Sequence, residues 1–339
     1  MFQLNFNDTD KRVYETELRD FLPDRFIDLH AHIWKRDFKP YGASNGGATW
    51  THLVADELTG EGLTDAYRRL FPGKTVTPLV FGGVDQDIAQ CNRYVIEEAE
   101  KYHFPTLLRT DYSMTPDDLE AQVAAGGFLG LKPYITNCPP YIPASEIRIF
   151  DYLPPEHLET ANKHGWIVML HIPRSGRLKD SVNVGQLMEI EKRWPNVRLV
   201  VAHIGRAYSR QDLGTAFDLL RTTKNMLFDF TANLCDDAIR ACIEAVGTKR
   251  LMFGSDLPIT NMRMYRITDE TGFYKNVVPR GLYGDVSADP HMQESDETDI
   301  TLMLYEQLRA LRRVAADCRL NDEQVEQILD TNARQLLGL

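Results

Sequence analysis

Eight short runs of apolar and β-branched residues recur along the chain: FIDLHAH (26–32), TVTPLVFGG (75–83), FPTLLRTDY (104–112), GFLGLKPYI (127–135), GWIVMLHIP (165–173), VRLVVAHIG (197–205), MLFDFTAN (226–233) and RLMFGSDLP (250–258). Their length and residue types predict strands. Between them, apolar positions return at steps of three and four. In DIAQCNRYVIEEAEKYH, Ile88, Cys91, Val95 and Ala99 form one stripe with charged residues on the other face, which predicts an amphipathic helix. TPDDLEAQVAA opens with Thr115 as a cap and Pro116 in the first turn. NVGQLMEIEKRW, TAFDLLRTT and DDAIRACIEAVG read the same way. Leu304, Leu308, Leu311, Ala315 and Cys318 mark a further stripe, and residues 321–339 a closing helix.

Strand and helix alternating eight times predict an α/β fold of parallel βα units that closes into a (β/α)8 TIM barrel, one domain over residues 1–339. The alternative is an open doubly wound sheet. No G-x-G-x-x-G turn follows any of the strands, which removes that fold's usual cofactor site. A polar leader, 1–24, precedes the first strand. Two long polar segments, 33–54 and 257–300, follow the C-terminal ends of the first and last strands. A barrel would raise both over its mouth, as lids or substrate walls, with a subunit contact as the other role for the second.

With 43% hydrophobic and 26% charged residues, the chain has the material for a large globular core. A formal net charge of −11 argues against nucleic acid, whose binding needs a basic face, and favours small molecules as partners. No apolar run reaches the roughly 20 residues of a membrane span, and MFQLNFNDTD lacks the features of a signal peptide, so a cytoplasmic location is expected. The five cysteines show no C-x-x-C spacing and read as reduced, packed thiols.

The chemistry lies at the strand ends. Side chains alternate along a strand, which would place Asp28, His30 and His32 on one face and Ile27, Leu29 and Ala31 on the other, packed outward on helices. One H-x-H pair is a weak signal. However, His171 ends VMLHIP, His203 ends VVAHIG and Asp256 ends MFGSDLP, so four of the eight strands end in histidine or aspartate at one barrel face. Buried histidine and aspartate need partners. A divalent ion supplies one, and three imidazoles with a carboxylate suit Zn2+, with Mn2+ or another first-row ion as alternatives.

These motifs, in this order and through to the terminal NARQLLGL, resemble the amidohydrolase superfamily, in the branch called amidohydrolase 2. Aminocarboxymuconate semialdehyde decarboxylase and sugar or pyrone lactonases are relatives there. The resemblance covers almost the whole chain. It implies that His30, His32, His171 and Asp256 ligate one metal ion, and that Asp256 also accepts a proton from the metal-activated water. His203 would stand beside the ion as an electrostatic or acid–base partner. Oligomeric relatives make a homo-oligomer the expectation.

Lys132, in LGLKPYI, has three roles open to it: a carboxylated bridge between two ions, as in some superfamily members, an ammonium that binds substrate, or a structural cation. Arg174 and Arg206 follow strands five and six and could form a fork for a substrate carboxylate, as could Arg177 less directly, or make surface ion pairs instead. Arg109, Asp111, Tyr112 and Asn233 also end strands, and His52 and His291 lie in the two long segments. His103, His157 and His164 read as structural. The leading expectation is a metal-dependent hydrolase of a small polar lactone or amide bearing carboxylate or hydroxyl groups. Nonoxidative decarboxylation of an unsaturated or aromatic acid is the alternative, and a noncatalytic binding barrel the third reading.

Overall fold

The computed structural model describes residues 4–38, 54, 56–84 and 86–339. Each of the eight predicted segments contains a parallel strand: β1 (Arg25–His32), β2 (Thr75–Phe81), β3 (Leu108–Thr110), β4 (Gly130–Pro133), β5 (Ile167–Leu170), β6 (Arg198–Val201), β7 (Leu227–Asp229) and β8 (Leu251–Met252). β3 to β8 form one six-stranded parallel sheet in sequence order, and β1 pairs with β2 in a separate parallel ladder. Isolated parallel bridges, Val80 to Thr106 and Ala31 to Leu257, link the two ladders on both sides. The continuous pairing thus spans six strands, fewer than the eight of the expected barrel.

A helix follows each strand. Those at Ile88–Tyr102, Pro116–Gly126, Ser181–Arg193, Asp236–Val246 and Met303–Asp317 are the expected ones. Thr115 caps as predicted, accepting from the Asp118 amide at 3.2 Å. The helix at Ala216–Leu220 is shorter than TAFDLLRTT suggests, because the Thr222 and Thr223 hydroxyls donate to the Leu219 and Leu220 carbonyls and end it. Helices at Gly60–Leu70 and Pro155–His164 escaped the sequence reading. The first hides behind two glycines, yet Leu63, Ala66, Tyr67 and Leu70 bury its stripe. No helix among the described residues is long and apolar enough to cross a membrane.

The alternation expected in β1 is corrected by a bulge. Asp28 faces Pro78 and Ala31 faces Val80, so three residues of β1 span what two cover in β2. One extra residue reverses which face the side chains meet. Before it, Ile27 and Leu29 join Phe81, Met169, Val200 and Met252 in a buried cluster built from alternate strand positions. The C-terminal helix closes that cluster through Ala333, Leu336 and Leu337. After it, Ala31 and Ile33 turn to the helix-facing core and His30 and His32 turn inward. Asp28 therefore does not share their face. It accepts from the His30 and Ser255 amides at 3.0 and 2.7 Å and from the Tyr67 hydroxyl at 2.5 Å, which pins the bulge to the helix behind it.

The leader is not a loose tail. It is helical from Asp8 to Leu18 and buries Tyr14, Leu18 and Leu22, and Asp10 pairs with Arg263 at 2.7 Å. The 257–300 segment is likewise more than loop. It carries β9 (Tyr265–Thr268), β10 (Tyr274–Pro279) and β11 (Met292–Ser295) in a three-stranded sheet. Asp269 folds the β9–β10 turn, accepting from the Thr271 and Phe273 amides at 2.9 and 3.0 Å, with Gly272 at φ +83°. YRITDETGFYK carried that hairpin signal. Most of the first long segment, His52 included, lies outside the described residues.

Candidate metal centre

Three different backbone devices bring the strand-end residues together. In β5, Ile167 and Met169 belong to the inner cluster, and simple alternation carries His171 to the same side. In β6, Ala202 belongs there, so alternation would turn His203 outward. Instead His203, Ile204, Gly205 and Arg206 all take positive φ, between 49° and 58°, and this left-handed turn swings His203 into the site. The Asp229 carboxylate holds the turn from inside by accepting the His203 amide at 2.7 Å, and Asn233 Nδ2 donates to the His203 and Ala207 carbonyls. After β8 the chain must lie flat on His30. A Cβ at Gly254 would come within 2.5 Å of the His30 Cβ, so only glycine fits. The Asp256 amide then donates to the His30 carbonyl at 2.7 Å, with Asp256 itself at φ 61°.

The ring nitrogens and carboxylate converge as a result. One ligand atom each from His30, His171 and His203 lies within 4.8 Å of the others, and so does one each from His30, His32 and Asp256. Three of the four imidazoles, those of His30, His32 and His203, have an acceptor for a ring proton behind the site. Asp229 Oδ2 takes that of His30 Nδ1 at 3.1 Å, and the Thr231 carbonyl that of His203 Nδ1 at 2.7 Å. Tyr134 donates its hydroxyl proton to the Gly82 carbonyl, so its oxygen can accept from His32 Nδ1 at 3.1 Å. These acceptors leave the Nε2 lone pairs of His30, His32 and His203 pointing forward. His32 Nε2 then faces Asp256 Oδ1 at 3.0 Å, and His203 Nε2 faces His171 Nε2 at 2.7 Å. Two acceptors at 3.0 Å repel each other unless a cation or proton lies between them. The donor set therefore fits a divalent ion.

Protonation agrees with that. Burial, then the Lys132 charge, holds His30 at about 3 and His171 well below its ordinary value, and burial lowers His32. Neutral imidazoles are the ligating form. Burial pushes the Asp229 and Asp256 carboxyls up, but the imidazoles and donors around them prevail. Asp229 settles at about 2 and Asp256 also lies below the carboxylate range, so both are ionised.

Lys132 is fully buried among the ligand candidates, its Nζ 3.2 Å from His30 Nε2 and 3.4 Å from His171 Nδ1. Burial brings it down to about 7 against the pull of Asp229 and Asp256. Its Nζ thus lies against ring nitrogens of two ligand candidates. Arg174 pairs with Asp180 at 2.9 Å, and Arg206 donates to the Ile172 and Pro173 carbonyls at 3.2 and 3.1 Å, so both guanidiniums expected to grip substrate are engaged by protein groups. Arg109 ties down the Gly83, Val84 and Gln86 carbonyls, and Asp111 turns to Ser113. His291 stacks against both Phe273 and Tyr274, and His157 bonds to no ligand candidate but meets the Met114 carbonyl at 2.7 Å. The sequence reading missed Asp229 and Tyr134. Asp229 stood at the alternate position of MLFDF, the same signal that marked His171.

Comparison with known proteins places the chain in a family. Residues 27–339 match the family model for amidohydrolases, and the chain belongs to that family. No curated protein matches the sequence. Among solved structures, a zinc-bound amidohydrolase of Burkholderia multivorans superposes with a TM-score of 0.60 at 13% identity over 93% of this chain and 99% of that one. The probable 2-pyrone-4,6-dicarboxylic acid hydrolase of Acinetobacter baumannii, with citric acid bound, gives 0.58 at 15% identity over 93% and 99%. The 5-carboxyvanillate decarboxylase of Sphingomonas paucimobilis gives 0.55 at 10% over 94% and 100%. At such identities the likeness concerns the fold.

Proposed function

We propose that this protein is a metal-dependent hydrolase of a small lactone or amide that carries carboxylate groups, on a barrel completed by the bridges Val80–Thr106 and Ala31–Leu257. One observation carries the reading: one ligand atom each from His30, His32 and Asp256 lies within 4.8 Å of the others, with His32 Nε2 3.0 Å from Asp256 Oδ1. His30, His32, His171 and Asp256 would hold the ion, and zinc suits this nitrogen and oxygen set best. When bound, it supplies Lewis acidity and lowers the pKa of water.

The protein's own residues supply positioning and proton transfer. Asp256, ionised and at the edge of the ligand cluster, takes a proton from the attacking water and passes it to the leaving atom. His203 Nε2, with its lone pair forward, would stand beside the reacting atoms as a proton acceptor, and its ring cannot turn because Nδ1 is bonded to the Thr231 carbonyl. Asp229 fixes both the His30 tautomer and the His203 amide, coupling the two halves of the site. Phe81 sits beneath, 4.8 Å from the His32 ring, and keeps water from the floor.

Elemental analysis of the purified protein should find near-stoichiometric divalent metal. Incubation with a pooled library of lactones, amides and unsaturated acids, followed by mass, should show gain of one water. Asp256→Asn should slow that turnover by about 10²–10⁴-fold while disturbing metal content less. Loss of carbon dioxide from library acids would assign decarboxylation instead, and absence of metal from the native protein would defeat both enzymatic readings.

A further inference from the structure

Beside His203 the mouth sets two guanidiniums on one pair of tyrosines. The Tyr208 ring lies 6.4 Å from that of His203, and Tyr274 of β10 meets Tyr208 edge-on at 5.5 Å. The Arg177 guanidinium is 5.3 Å from the Tyr208 ring and 4.7 Å from that of Tyr274. Arg266 of β9 lies 4.6 and 5.0 Å from the same two rings. The arrangement is braced from outside, where His291 stacks on Tyr274 at 3.9 Å and on Phe273 at 4.1 Å.

The charges in this cluster do not balance. Arg177 pairs with Asp212 at 2.6 Å, but its Nε is buried with no hydrogen-bond partner among the described residues. Arg266 meets only neutral acceptors there, Asn276 Oδ1 at 2.9 Å and the Ala232 carbonyl at 3.3 Å. Its outer side borders a recess with Glu297, Asp299 and Glu306. Those acids have partners of their own: Tyr265 at 2.8 Å, Arg12 at 4.0 Å and Arg309 at 2.7 Å respectively. A guanidinium withdrawn from water wants a counter-charge, and two of them on the same rings repel each other. The ring faces offset part of this cost, and an anion between the forks would offset the rest.

We infer that Arg177 and Arg266, set on the Tyr208 and Tyr274 rings, form the site for a carboxylate of the substrate, next to His203. The Ala232 carbonyl that Arg266 holds follows Thr231, whose own carbonyl fixes His203, so the anion would be anchored one residue from the group that faces the reacting carbonyl. This rests on the hydrolase reading for the reaction and selects among its substrates. It requires an acid whose carboxylate stands a few bonds from the bond to be broken. Guanidinium forks suit that planar group better than a hydroxyl.

Isophthalate, a planar dicarboxylate, tests the site by titration calorimetry on the metal-loaded protein, with neutral isophthalamide beside it. The native protein should bind isophthalate at least tenfold more tightly than the diamide. Arg266→Gln and Arg177→Gln should each lose about tenfold or more of the isophthalate affinity and leave the diamide unaffected. Arg266→Lys, which keeps the charge but not the fork, should fall between. Equal isophthalate affinity in Arg266→Gln and native protein, or no isophthalate binding by native protein, overturns the inference. Metal content and melting temperature, read on the same samples, separate this outcome from a failure of the hydrolase reading. A metal-free native protein with Arg266-dependent binding would sink that reading and keep this one.

Discussion

The His30 ring and the Arg266 guanidinium are both withdrawn from water, and the protein treats them in opposite ways. His30 is kept neutral, with an acceptor-only carboxylate behind it and its lone pair forward. Arg266 cannot give up its charge, and the groups that hold it are neutral. On the proposed reading, the strand ends present electron pairs to a cation, and Arg266 of the insert sheet, with Arg177, presents cations to an anion. A substrate that brings a carbonyl to the first and a carboxylate to the second is oriented by both. The division also fits the chain's charge. A protein of net −11 gains little from general attraction of acids, so the cationic contact has to be built locally.

The largest effects should come from the strand ends. His30→Ala removes the residue common to both ligand groups, and metal should be absent from the purified variant by elemental analysis. Asp229→Asn keeps the ligands but unsettles the His30 tautomer, and metal affinity in a competition titration should fall by about 10–100-fold. Neither change should alter isophthalate binding at Arg266 beyond what loss of the ion itself explains. Retention of native metal affinity by Asp229→Asn would mean that the two regions are not organised differently after all.

The strand ends were legible in the sequence because each signal was local: an apolar run, a two-residue period, then a histidine or aspartate. The eight strands were readable for the same reason. Faces were harder. Neither the bulge between Asp28 and Ala31 nor the left-handed turn from His203 to Arg206 has a fixed residue signature, and each reverses a side chain that strict alternation would assign otherwise. Arg174 and Arg206 looked like substrate ligands because they follow strands that end in histidine, but nearness in sequence did not reveal the carboxylate and carbonyls that engage them. Arg266 was invisible for the converse reason. It lies in a polar segment about 60 residues beyond His203, and only the insert sheet folds it back to Tyr208.

Acid should separate the regions next. His30 falls from 6.5 to about 3 on folding, so the unfolded chain takes up its proton first as pH drops. Stability from this residue is present above pH 6.5 and lost progressively as pH falls toward the folded value. His32 and His171 act in the same direction. Asp28, raised by burial to about 6, opposes them, since its folded form holds a proton more tightly than the unfolded chain does. Urea midpoints of chelator-treated protein should therefore fall between pH 6.5 and 4. Arg266→Gln should shift the whole curve without changing its slope, because arginine does not titrate there. A flat curve would show that the centre is not preset in its neutral form.

The smallest of these effects concerns what holds His30 and His32 inward at all. Tyr67 is buried, and its hydroxyl donates to Asp28 at 2.5 Å on the far side of the bulge from the ligands. Tyr67→Phe leaves the packing and removes one donor to a buried carboxylate, a loss of about 1.5–3 kcal/mol. The two amide bonds from His30 and Ser255 remain, so the bulge should survive in the folded protein and metal stoichiometry should hold. Isophthalate affinity should be untouched. Arg266→Gln should give the mirror image, with affinity lost and the urea midpoint equal or higher, since a half-buried charge held by neutral acceptors has gone. If Tyr67→Phe lowered isophthalate affinity as much as Arg266→Gln, the bulge and the insert sheet would be one cooperative unit, and the separation of cation-receiving and anion-receiving regions would have to be abandoned.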